Sequence, residues 1–315
     1  MPIKIPNGLP AAATLRAENI FVMPQDRALT QDIRPLRIGI VNLMPTKIAT
    51  ETQLSRLLGN TPLQVELEFI QTSTYAATHT AEEHMLAFYT TFEQIADSTY
   101  DGLIITGAPV ELLEFEEVDY WDELCQIMDW SLTHVQSTFH ICWGAQAGLY
   151  HHYGIGKHQL DHKLFGIFEH RVEVPDSRLL RGFDDVFMAP HSRHTTIERA
   201  DVEAVPQLRV LAASEQAGVY AIVSRNGRQV FITGHSEYDP ETLRTEYLRD
   251  RDLGLPIDVP AHYFPDDDPA RSPQVSWRAH ANLLYSNWLN YFVYQSTPYD
   301  LTQIPVAAAL ATDPD

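Results

Sequence analysis

The chain is poor in cysteine and in basic residues. Cys125 and Cys142 are the two cysteines in 315 residues, so the sequence offers no disulfide framework, and we expect a cytoplasmic protein. Lysine and arginine number 22 against 42 aspartates and glutamates, which gives a formal net charge of −20. Such a charge repels a phosphate backbone and argues against nucleic-acid binding as the main function.

Long hydrophobic runs are also missing. No apolar run approaches the roughly 20 residues that a bilayer span requires, and prolines interrupt the N-terminal segment. We therefore expect neither a membrane span nor a secretory signal. The hydrophobic content of 44% suffices for a large core, and no repeat or low-complexity linker divides the chain. We predict one elaborated domain over residues 1–300 and a flexible tail at 301–315.

Strand-like runs alternate with helical patterns in the first half of the chain. The runs are LRIGIVNLM (36–44), VELEFIQT (65–72), DGLIITGAP (101–109) and STFHICW (137–143). Apolar residues spaced by three and four lie between them, in segments 46–60, 80–97 and 118–135. This alternation predicts an α/β fold, with a mostly parallel sheet, helices on both faces and a site at the carboxyl ends of the strands.

The pattern changes to short extended pieces after about residue 160. Asn226-Gly227 between two of them predicts a hairpin with a two-residue turn. These pieces favour a continuation of the sheet rather than a new domain. A helix is predicted over 241–254, and a long amphipathic helix over 276–296.

Cys142 lies where the sequence pattern changes. In TFHICWGAQAGLY (138–150), an apolar run typical of a buried strand ends there, and small residues follow that suit the start of a helix. A residue at such a corner is exposed in a strained turn, and the helix N-terminus favours a thiolate. Cys142 is therefore a candidate nucleophile, although a small buried hydrophobe is the usual role of such a cysteine. Cys125 lies inside a helical pattern, which indicates ordinary packing at or near the core.

A candidate base follows another strand-like run. In VFITGHSEYDP (230–240), the apolar residues end just before His235 and Glu237. Side chains two apart in an extended segment point to the same side, so Glu237 can accept a hydrogen bond from His235 while the second ring nitrogen faces Cys142. The three residues together predict a Cys-His-Glu triad. A lone histidine at a strand end is more often structural, and the joint occurrence favours the catalytic interpretation.

Six separated motifs resemble one enzyme family. Over about residues 1–300 the chain is similar to the homoserine O-acyltransferases of methionine biosynthesis, through the ordered motifs NLMPTK, DGLIITGAPVE, CWGAQAGLYHHYGI, HKLFGIFEH, APHSRHT and GHSEYD. The cysteine corner with a later His-x-Glu also resembles the class I glutamine amidotransferases, which implies a flavodoxin-like three-layer fold. His140 stands where those enzymes carry a glycine, two residues before the nucleophile, and this departure disfavours a glutaminase.

The resemblance implies a two-step acyl transfer without a resident cofactor. Cys142 would attack the thioester carbonyl of an acyl-coenzyme A, His235 would serve as base and acid, and Glu237 would orient the ring. The hydroxyl of L-homoserine would then accept the acyl group. A homodimer is the expectation at the family level. The family's homoserine-binding positions carry over as Lys163, Ser192 and Arg249.

The resemblance also predicts the acyl donor. Glu111, which follows Gly-Ala-Pro-Val, occupies a position where glycine implies a succinyl donor and glutamate implies an acetyl donor. A glutamate there would repel the carboxylate of succinyl-CoA, so we expect acetyl-CoA. The alternatives are succinyl transfer, with Glu111 pointing to solvent, an amidotransferase or hydrolase of the same fold, and a non-catalytic binding protein.

Lys47 and the histidines carry two weaker hypotheses. Lys47 follows the first predicted strand, where it could stabilise developing negative charge or contact the acyl group, or could simply be a solvated lysine at a helix N-terminus. His158 and His162 are four residues apart, a spacing compatible with metal ligation. No recognisable set of further ligands accompanies them, and we expect no metal site.

Overall fold

Twelve strands form one mixed sheet within the residues that the computed structural model describes, which are 3–17, 22–25, 34–73, 81–298, 301 and 304. The strands are β1 (Ile3–Ile5), β2 (Val22–Pro24), β3 (Leu36–Val41), β4 (Val65–Gln71), β5 (Tyr89–Thr91), β6 (Tyr100–Ile105), β7 (Val135–Ile141), β8 (His158–Val172), β9 (Val186–Thr196), β10 (Leu208–Ser214), β11 (Gly218–Ser224) and β12 (Gln229–Ile232). Their order in the sheet is β2-β1-β4-β3-β6-β7-β12-β11-β10-β8-β9, and β5 pairs with β4.

The same part of the chain contains nine α-helices. They are α1 (Ala11–Ala17), α2 (Lys47–Leu58), α3 (Glu82–Phe88), α4 (Phe92–Ile95), α5 (Trp121–His134), α6 (Trp143–Tyr153), α7 (Arg199–Glu203), α8 (Thr242–Asp252) and α9 (Arg278–Asn287). A π-helical segment, Trp288–Tyr294, continues α9, and short 3₁₀ turns lie at Phe115–Glu117 and Pro265–Asp267. The helices predicted at 46–60, 118–135, 241–254 and 276–296 are confirmed.

The parallel half of the sheet runs from β2 to β12 and contains the four strands expected in the first half of the chain. They are shorter at their carboxyl ends than predicted, because the residues beyond them leave the sheet and form loops. The N–H of Leu43, for example, donates to Oγ1 of Thr106 at 2.8 Å instead of extending the ladder. The loops that follow β3, β6, β7 and β12 therefore meet at one edge, where an α/β sheet places its site.

Helices cover both faces of the sheet, as predicted. Ile104 of β6 is buried on one face in the same apolar cluster as Leu54 of α2. Its neighbour Ile105 is buried on the opposite face with Leu124 and Ile127 of α5. Since successive side chains of a strand alternate between faces, this division gives three layers, with the sheet in the middle.

The antiparallel half comprises β8 to β11, with β12 joining the two halves. The predicted hairpin is confirmed, but its connection has four residues, 225–228, rather than two. Gly227 has a φ of +69°, and Oδ1 of Asn226 accepts hydrogen bonds from the N–H of Arg228 at 3.0 Å and from Oγ of Ser224 at 2.8 Å. The side chain of Asn226 thus closes a wider turn than the dipeptide alone implies.

The single helix predicted over 80–97 is wrong. The structure divides this segment into α3, the short strand β5 and α4. Tyr89 pairs with Phe69 of β4, and its hydroxyl donates to Glu51 of α2 at 2.7 Å. Thr91 then caps α4 through a reciprocal capping box with Gln94. The tertiary contacts of Tyr89 therefore break the helix that the apolar spacing of the neighbouring residues predicts.

None of the helices in the described ranges has both the length and the apolar character that a membrane crossing requires. The tail predicted at 301–315 lies outside the described residues, except for positions 301 and 304.

Candidate active site

The corner at Cys142 has the geometry of a nucleophile elbow. Cys142 is the single residue between β7 and α6, with φ 49° and ψ −114°, which non-glycine residues rarely adopt. Its N–H donates to the carbonyl of Ile232 at 2.7 Å. A Cβ added at Gly144 would lie 2.5 Å from the carbonyl oxygen of Thr106. The small residues after Cys142 therefore let the helix pack closely against the end of β6.

His235 and Glu237 lie beside this corner because β12 is the parallel neighbour of β7. Nδ1 of His235 lies 2.6 Å from Oε1 of Glu237, and both side chains are buried. The ring of His235 lies beside Cys142, since a Cβ built at Gly107 would be 3.4 Å from both Cβ of Cys142 and Cε1 of His235. Tyr238 stacks on the imidazole with ring centroids 4.2 Å apart and an interplanar angle of 12°. The structure thus brings the three predicted triad residues together, with His235 hydrogen-bonded to Glu237 and adjacent to Cys142.

The electrostatics of the chain favour a protonated imidazole. Burial of the His235 ring disfavours the charged form, but the charges and hydrogen bonds of Cys142 and Glu237 outweigh it. The pKa of His235 is therefore raised well above its ordinary value. An imidazolium between a sulfur and a carboxylate is the arrangement that keeps a cysteine nucleophile as a thiolate.

An open cleft of about 380 Å³ begins at Cys142 and His235. Its walls come from the loop after β3, the loop after β6, the end of β9 and one side of α8. Glu111 lines the cleft, as do Ser192 and Arg249. A molecule that fills this cleft can therefore reach Cys142, Ser192 and Arg249.

One carboxylate organises the predicted amino-acid subsite. Oε1 of Glu246 lies 2.5 Å from Nζ of Lys163 and accepts a hydrogen bond from Oγ of Ser192 at 2.8 Å. Arg249 lies one helical turn further along α8, 3.9 Å from the same oxygen, and its Nε donates to Asp250 at 2.6 Å. Lys163 reaches the cleft through Glu246. The structure thus gathers all three residues that the sequence suggested, around an acid that it did not.

The sequence analysis did not identify Glu246 and Asp250 as candidate site residues. Both lie in the charged segment TEYLRDRD, where a run of alternating charges is typical of a solvated helix face. The spacing of Glu246 and Arg249 by three residues was the available signal, because it puts a carboxylate and a guanidinium on the same side of a helix. Such a pair matches the two charged ends of an amino acid.

Glu111 lies in the loop after β6, half-exposed, with its backbone carbonyl accepting a hydrogen bond from Nζ of Lys157 at 2.6 Å. Lys157 also bonds the carbonyl of Leu113 and therefore fastens this loop beside the cleft. The location fits the predicted contact with the acyl donor, and the role of Glu111 stays a prediction.

Lys47 is not a solvated lysine. Its side chain is 7% exposed, Nζ donates to the carbonyl of Asn42, and the ammonium lies 5.8 Å from the centroid of the Tyr89 ring. Burial lowers the pKa of Lys47 to about 8, against the opposing effect of Glu51. It lines a smaller cavity of about 120 Å³ that shares Met44, Pro45 and Pro109 with the main cleft.

His158, His162 and His140 take no part in the triad. His158 bonds Asp201 at 3.0 Å and His162 is exposed, and both belong to strand β8, so their spacing is not that of a helical pair. His140 is fully buried in the sheet, with Nδ1 3.2 Å from the carbonyl of Val230.

Cys125 is half-buried in α5, as expected, and burial raises its pKa to about 11. In the described part of the chain, one group of potential ligand atoms lies within 4.8 Å, formed by Asp129, His151 and His152. It stands on α5 and α6, outside the cleft.

Comparisons with known families and sequences agree closely. A sequence model of the homoserine O-succinyltransferase family matches residues 2–299. A homoserine O-acetyltransferase of Acetivibrio thermocellus is 63% identical over 96% of this chain and 100% of its own length. A protein of the same name from Bacteroides thetaiotaomicron is 60% identical, also over 96% and 100%.

Solved structures show the same architecture at much lower identity. A glutamine amidotransferase from Thermotoga maritima superposes with a TM-score of 0.54 at 14% identity, covering 82% of this chain and 98% of its own. One from Methylobacillus flagellatus gives 0.52 at 14%, with 82% and 95% covered. The predicted amidotransferase-like fold is thereby confirmed.

Proposed function

Because the chain belongs to the homoserine O-succinyltransferase family and is therefore an acyltransferase, we propose that it transfers an acetyl group from acetyl-CoA to the hydroxyl of L-homoserine. The reaction is that of a homoserine O-acetyltransferase in methionine biosynthesis. The observation that carries the proposal is that one cleft holds Cys142, the charged pair Glu246 and Arg249, and the half-exposed carboxylate of Glu111. No resident cofactor takes part, and acetyl-CoA is a co-substrate.

The first step acylates Cys142. The thiolate attacks the thioester carbonyl, the carbonyl electrons move to oxygen, and their return expels the sulfur of CoA, which His235 protonates. Ala145 and Gln146 donate their N–H groups to the carbonyl of Cys142. The N–H of Trp143 precedes them in the first turn of α6, where helical amides have no acceptor within the helix, and it faces the developing oxyanion. Exchange of one thioester for another leaves the energy nearly unchanged.

The second step transfers the acetyl group. His235, now neutral, removes the proton of the homoserine hydroxyl as its oxygen attacks the thioester on Cys142. Collapse of the tetrahedral intermediate releases the ester and restores the thiolate beside an imidazolium. Glu237 holds Nδ1–H of the ring throughout, so that the same face of the imidazole serves both steps.

The amino acid is held by charge. Arg249 binds the α-carboxylate, since a guanidinium offers two parallel donors to a carboxylate. Glu246 receives the α-ammonium, with Lys163 and Ser192 fixing its position. Both groups lie on α8, so a free amino acid spans the helix face and directs its side chain toward Cys142.

The acyl donor is selected by Glu111. The family model carries the name of a succinyl transferase, whereas the relatives of about 60% identity carry the name of an acetyl transferase. Succinyl-CoA would bring a carboxylate against Glu111, and two like charges about 4 Å apart repel by about 4 kcal/mol at an effective dielectric of 20. That energy corresponds to roughly a thousandfold in binding or rate. Acetyl-CoA has no such charge.

The direct test measures free thiol released from acetyl-CoA by the purified enzyme, with and without L-homoserine, together with formation of O-acetyl-L-homoserine. Sustained release that requires homoserine supports the proposal. Sustained thiol release without homoserine would indicate a hydrolase, and release of ammonia from L-glutamine would indicate an amidotransferase. A preference for succinyl-CoA over acetyl-CoA would show that the acyl donor is succinyl-CoA.

A further inference from the structure

Arg193 is a buried cation that has no carboxylate partner in the part of the chain that the structure describes. Its side chain is 2% exposed on β9, and its two terminal nitrogens donate to the carbonyls of Thr195 at 2.5 Å and Ala217 at 2.6 Å. Among the residues that the structure describes, no aspartate or glutamate forms an ion pair with it. Because an unpaired buried charge is strongly unfavourable, a guanidinium in this position calls for an explanation.

Neutral dipoles, rather than an anion, support this charge. Nδ1 of His170 must donate to the carbonyl of Phe168, 2.9 Å away, so its Nε2 is an acceptor. His191 therefore donates from Nε2 across the 3.0 Å contact with His170 and accepts at Nδ1 from Nε of Arg193, at 3.4 Å. Burial lowers the pKa of His170 to about 3 and that of His191 well below its ordinary value, so both rings are neutral. The guanidinium of Arg193 is therefore stabilised by hydrogen bonds to neutral groups and keeps its charge.

Hydrogen bonds connect the guanidinium of Arg193 to the helix that begins at the nucleophile elbow. The carbonyl of Thr195 that accepts from Arg193 also accepts from Nε2 of Gln146 at 3.2 Å, and Oγ1 of Thr195 donates to Oε1 of Gln146 at 2.8 Å. Gln146 in turn donates its backbone N–H to the carbonyl of Cys142 at 3.1 Å. One shared acceptor therefore links the guanidinium to the first turn of α6.

We propose that Arg193 is a positioning residue that keeps Cys142 ionised, by supplying a permanent positive charge behind the sulfur. The inference rests on the proposed function in taking Cys142 as the nucleophile. Burial lowers the pKa of Arg193 to about 10, with the charge on Cys142 acting in the opposite direction, so the guanidinium stays charged through the neutral range. His235 is neutral in the acyl-enzyme, after it has protonated the sulfur of CoA, whereas the charge of Arg193 is the same at every stage of the reaction.

The titratable side chains whose charges interact with that of Cys142 include Arg193 from β9, and His235 and Tyr238 from the loop after β12. Burial raises the pKa of Tyr238 well above its ordinary value, so it is neutral. Glu237 acts through His235, and Glu111 acts on Tyr238 across the cleft. Within this described set, Arg193 supplies the positive charge that does not depend on the state of the triad.

The test is the pH profile of Cys142 alkylation by iodoacetamide, followed by peptide mass spectrometry, in Arg193→Gln and Arg193→Lys. Gln keeps donors for the carbonyls but has no charge, whereas Lys keeps the charge but loses the planar fork. We expect Arg193→Gln to shift the pH profile of Cys142 alkylation to higher pH. At pH 6.5 alkylation should be slower by about tenfold. The Lys variant should stay within about twofold of the wild type, since it retains the cation.

A matched control is Arg228→Met. Arg228 is partly buried and also donates to backbone carbonyls, those of Val135 and Gln136, but at the opposite end of β7 from Cys142. Its replacement should lower the melting temperature and leave the alkylation profile of Cys142 unchanged.

Equal alkylation profiles for the wild type and Arg193→Gln would overturn the inference. Equal shifts of the profile in Arg193→Gln and Arg193→Lys would also overturn it. Should Arg193→Gln fail to fold, a normal profile in Arg193→Lys supports the role of charge and a displaced one refutes it. The assay uses no acyl donor, so its outcome is independent of whether acetyl transfer is the reaction.

Discussion

Nδ1 of His235 and Oε1 of Glu237 are 2.6 Å apart, and the second oxygen of Glu237 is buried without a hydrogen-bond partner among the described residues. The carboxylate therefore directs its charge and its one hydrogen bond toward the imidazole. A buried acid with a single partner is costly for the fold, which is consistent with a role in orienting and charging His235.

Replacement of Glu237 by Gln should lower kcat strongly while the protein stays folded. The amide can still accept from Nδ1–H but carries no charge to stabilise the imidazolium, and general acid–base contributions are on the order of 10²- to 10⁴-fold. Steady-state kinetics and a melting curve measure both effects. Glu241→Gln, which alters an exposed carboxylate of the same cleft, serves as the control. Near-normal turnover of Glu237→Gln would refute the orienting role.

Brief exposure to acetyl-CoA without homoserine should add one acetyl group to the intact protein. The added mass should be absent in Cys142→Ala and present in Cys125→Ala, since Cys125 lies on α5 away from the cleft. Intact-protein mass spectrometry detects the difference, and parallel double-reciprocal plots should accompany it in the wild type. An acylated Cys142→Ala protein would rule out the thioester intermediate.

Glu246→Gln should raise the KM for L-homoserine by roughly 10- to 100-fold, because a charge-assisted hydrogen bond contributes about 1.5–3 kcal/mol. The first half-reaction, measured as a single turnover of thiol release from acetyl-CoA, should keep its rate, since Glu246 does not act on the thioester. If acylation slowed by the same factor, Glu246 would be shaping the whole cleft rather than binding the ammonium.

The alkaline limb of kcat/KM should report Lys47. Its pKa is lowered to about 8, so its positive charge is present below that pH and is lost as the pH rises through it. If this charge stabilises the acyl transfer, activity falls above pH 8, and Lys47→Arg should move the limb to higher pH because a guanidinium stays charged. A limb that is identical in wild type and Lys47→Arg would assign it to another group.

Glu111→Gly should raise kcat/KM for succinyl-CoA relative to acetyl-CoA, by up to about a thousandfold if the full like-charge repulsion is relieved. Direct competition of the two donors, with the products separated by mass, gives the ratio in one experiment. Glu114→Gly alters an exposed carboxylate three residues further on and should leave the ratio unchanged. A wild-type preference for succinyl-CoA would contradict the assignment of Glu111.

The triad could be predicted because its cysteine and its histidine follow two different strands, and its glutamate lies two residues after the histidine. Cys142 follows β7 and His235 follows β12, and the carboxyl ends of parallel neighbours meet at one edge of the sheet. Local sequence therefore carries nearly all the information that this part of the site needs.

Glu246 and Arg193 could not be found in this way. Glu246 meets Lys163 only because α8 lies against strands β8 and β9, about 80 residues earlier in the chain. In the sequence, Arg193 is one polar residue of a strand in which polar and apolar residues alternate. Its burial depends on the histidines that pack around it in the folded protein. The break after α3 has the same origin, since it depends on the contact between Tyr89 and Glu51.

The backbone conformation at Cys142 is unfavourable for a cysteine. A left-handed φ of 49° suits glycine, which has no Cβ to collide with its own carbonyl, and imposes a strain of order 1–3 kcal/mol on other residues. A glycine at position 142 would relieve this strain but would remove the sulfur. The stability of the fold and the proposed reaction therefore place opposite demands on this one residue.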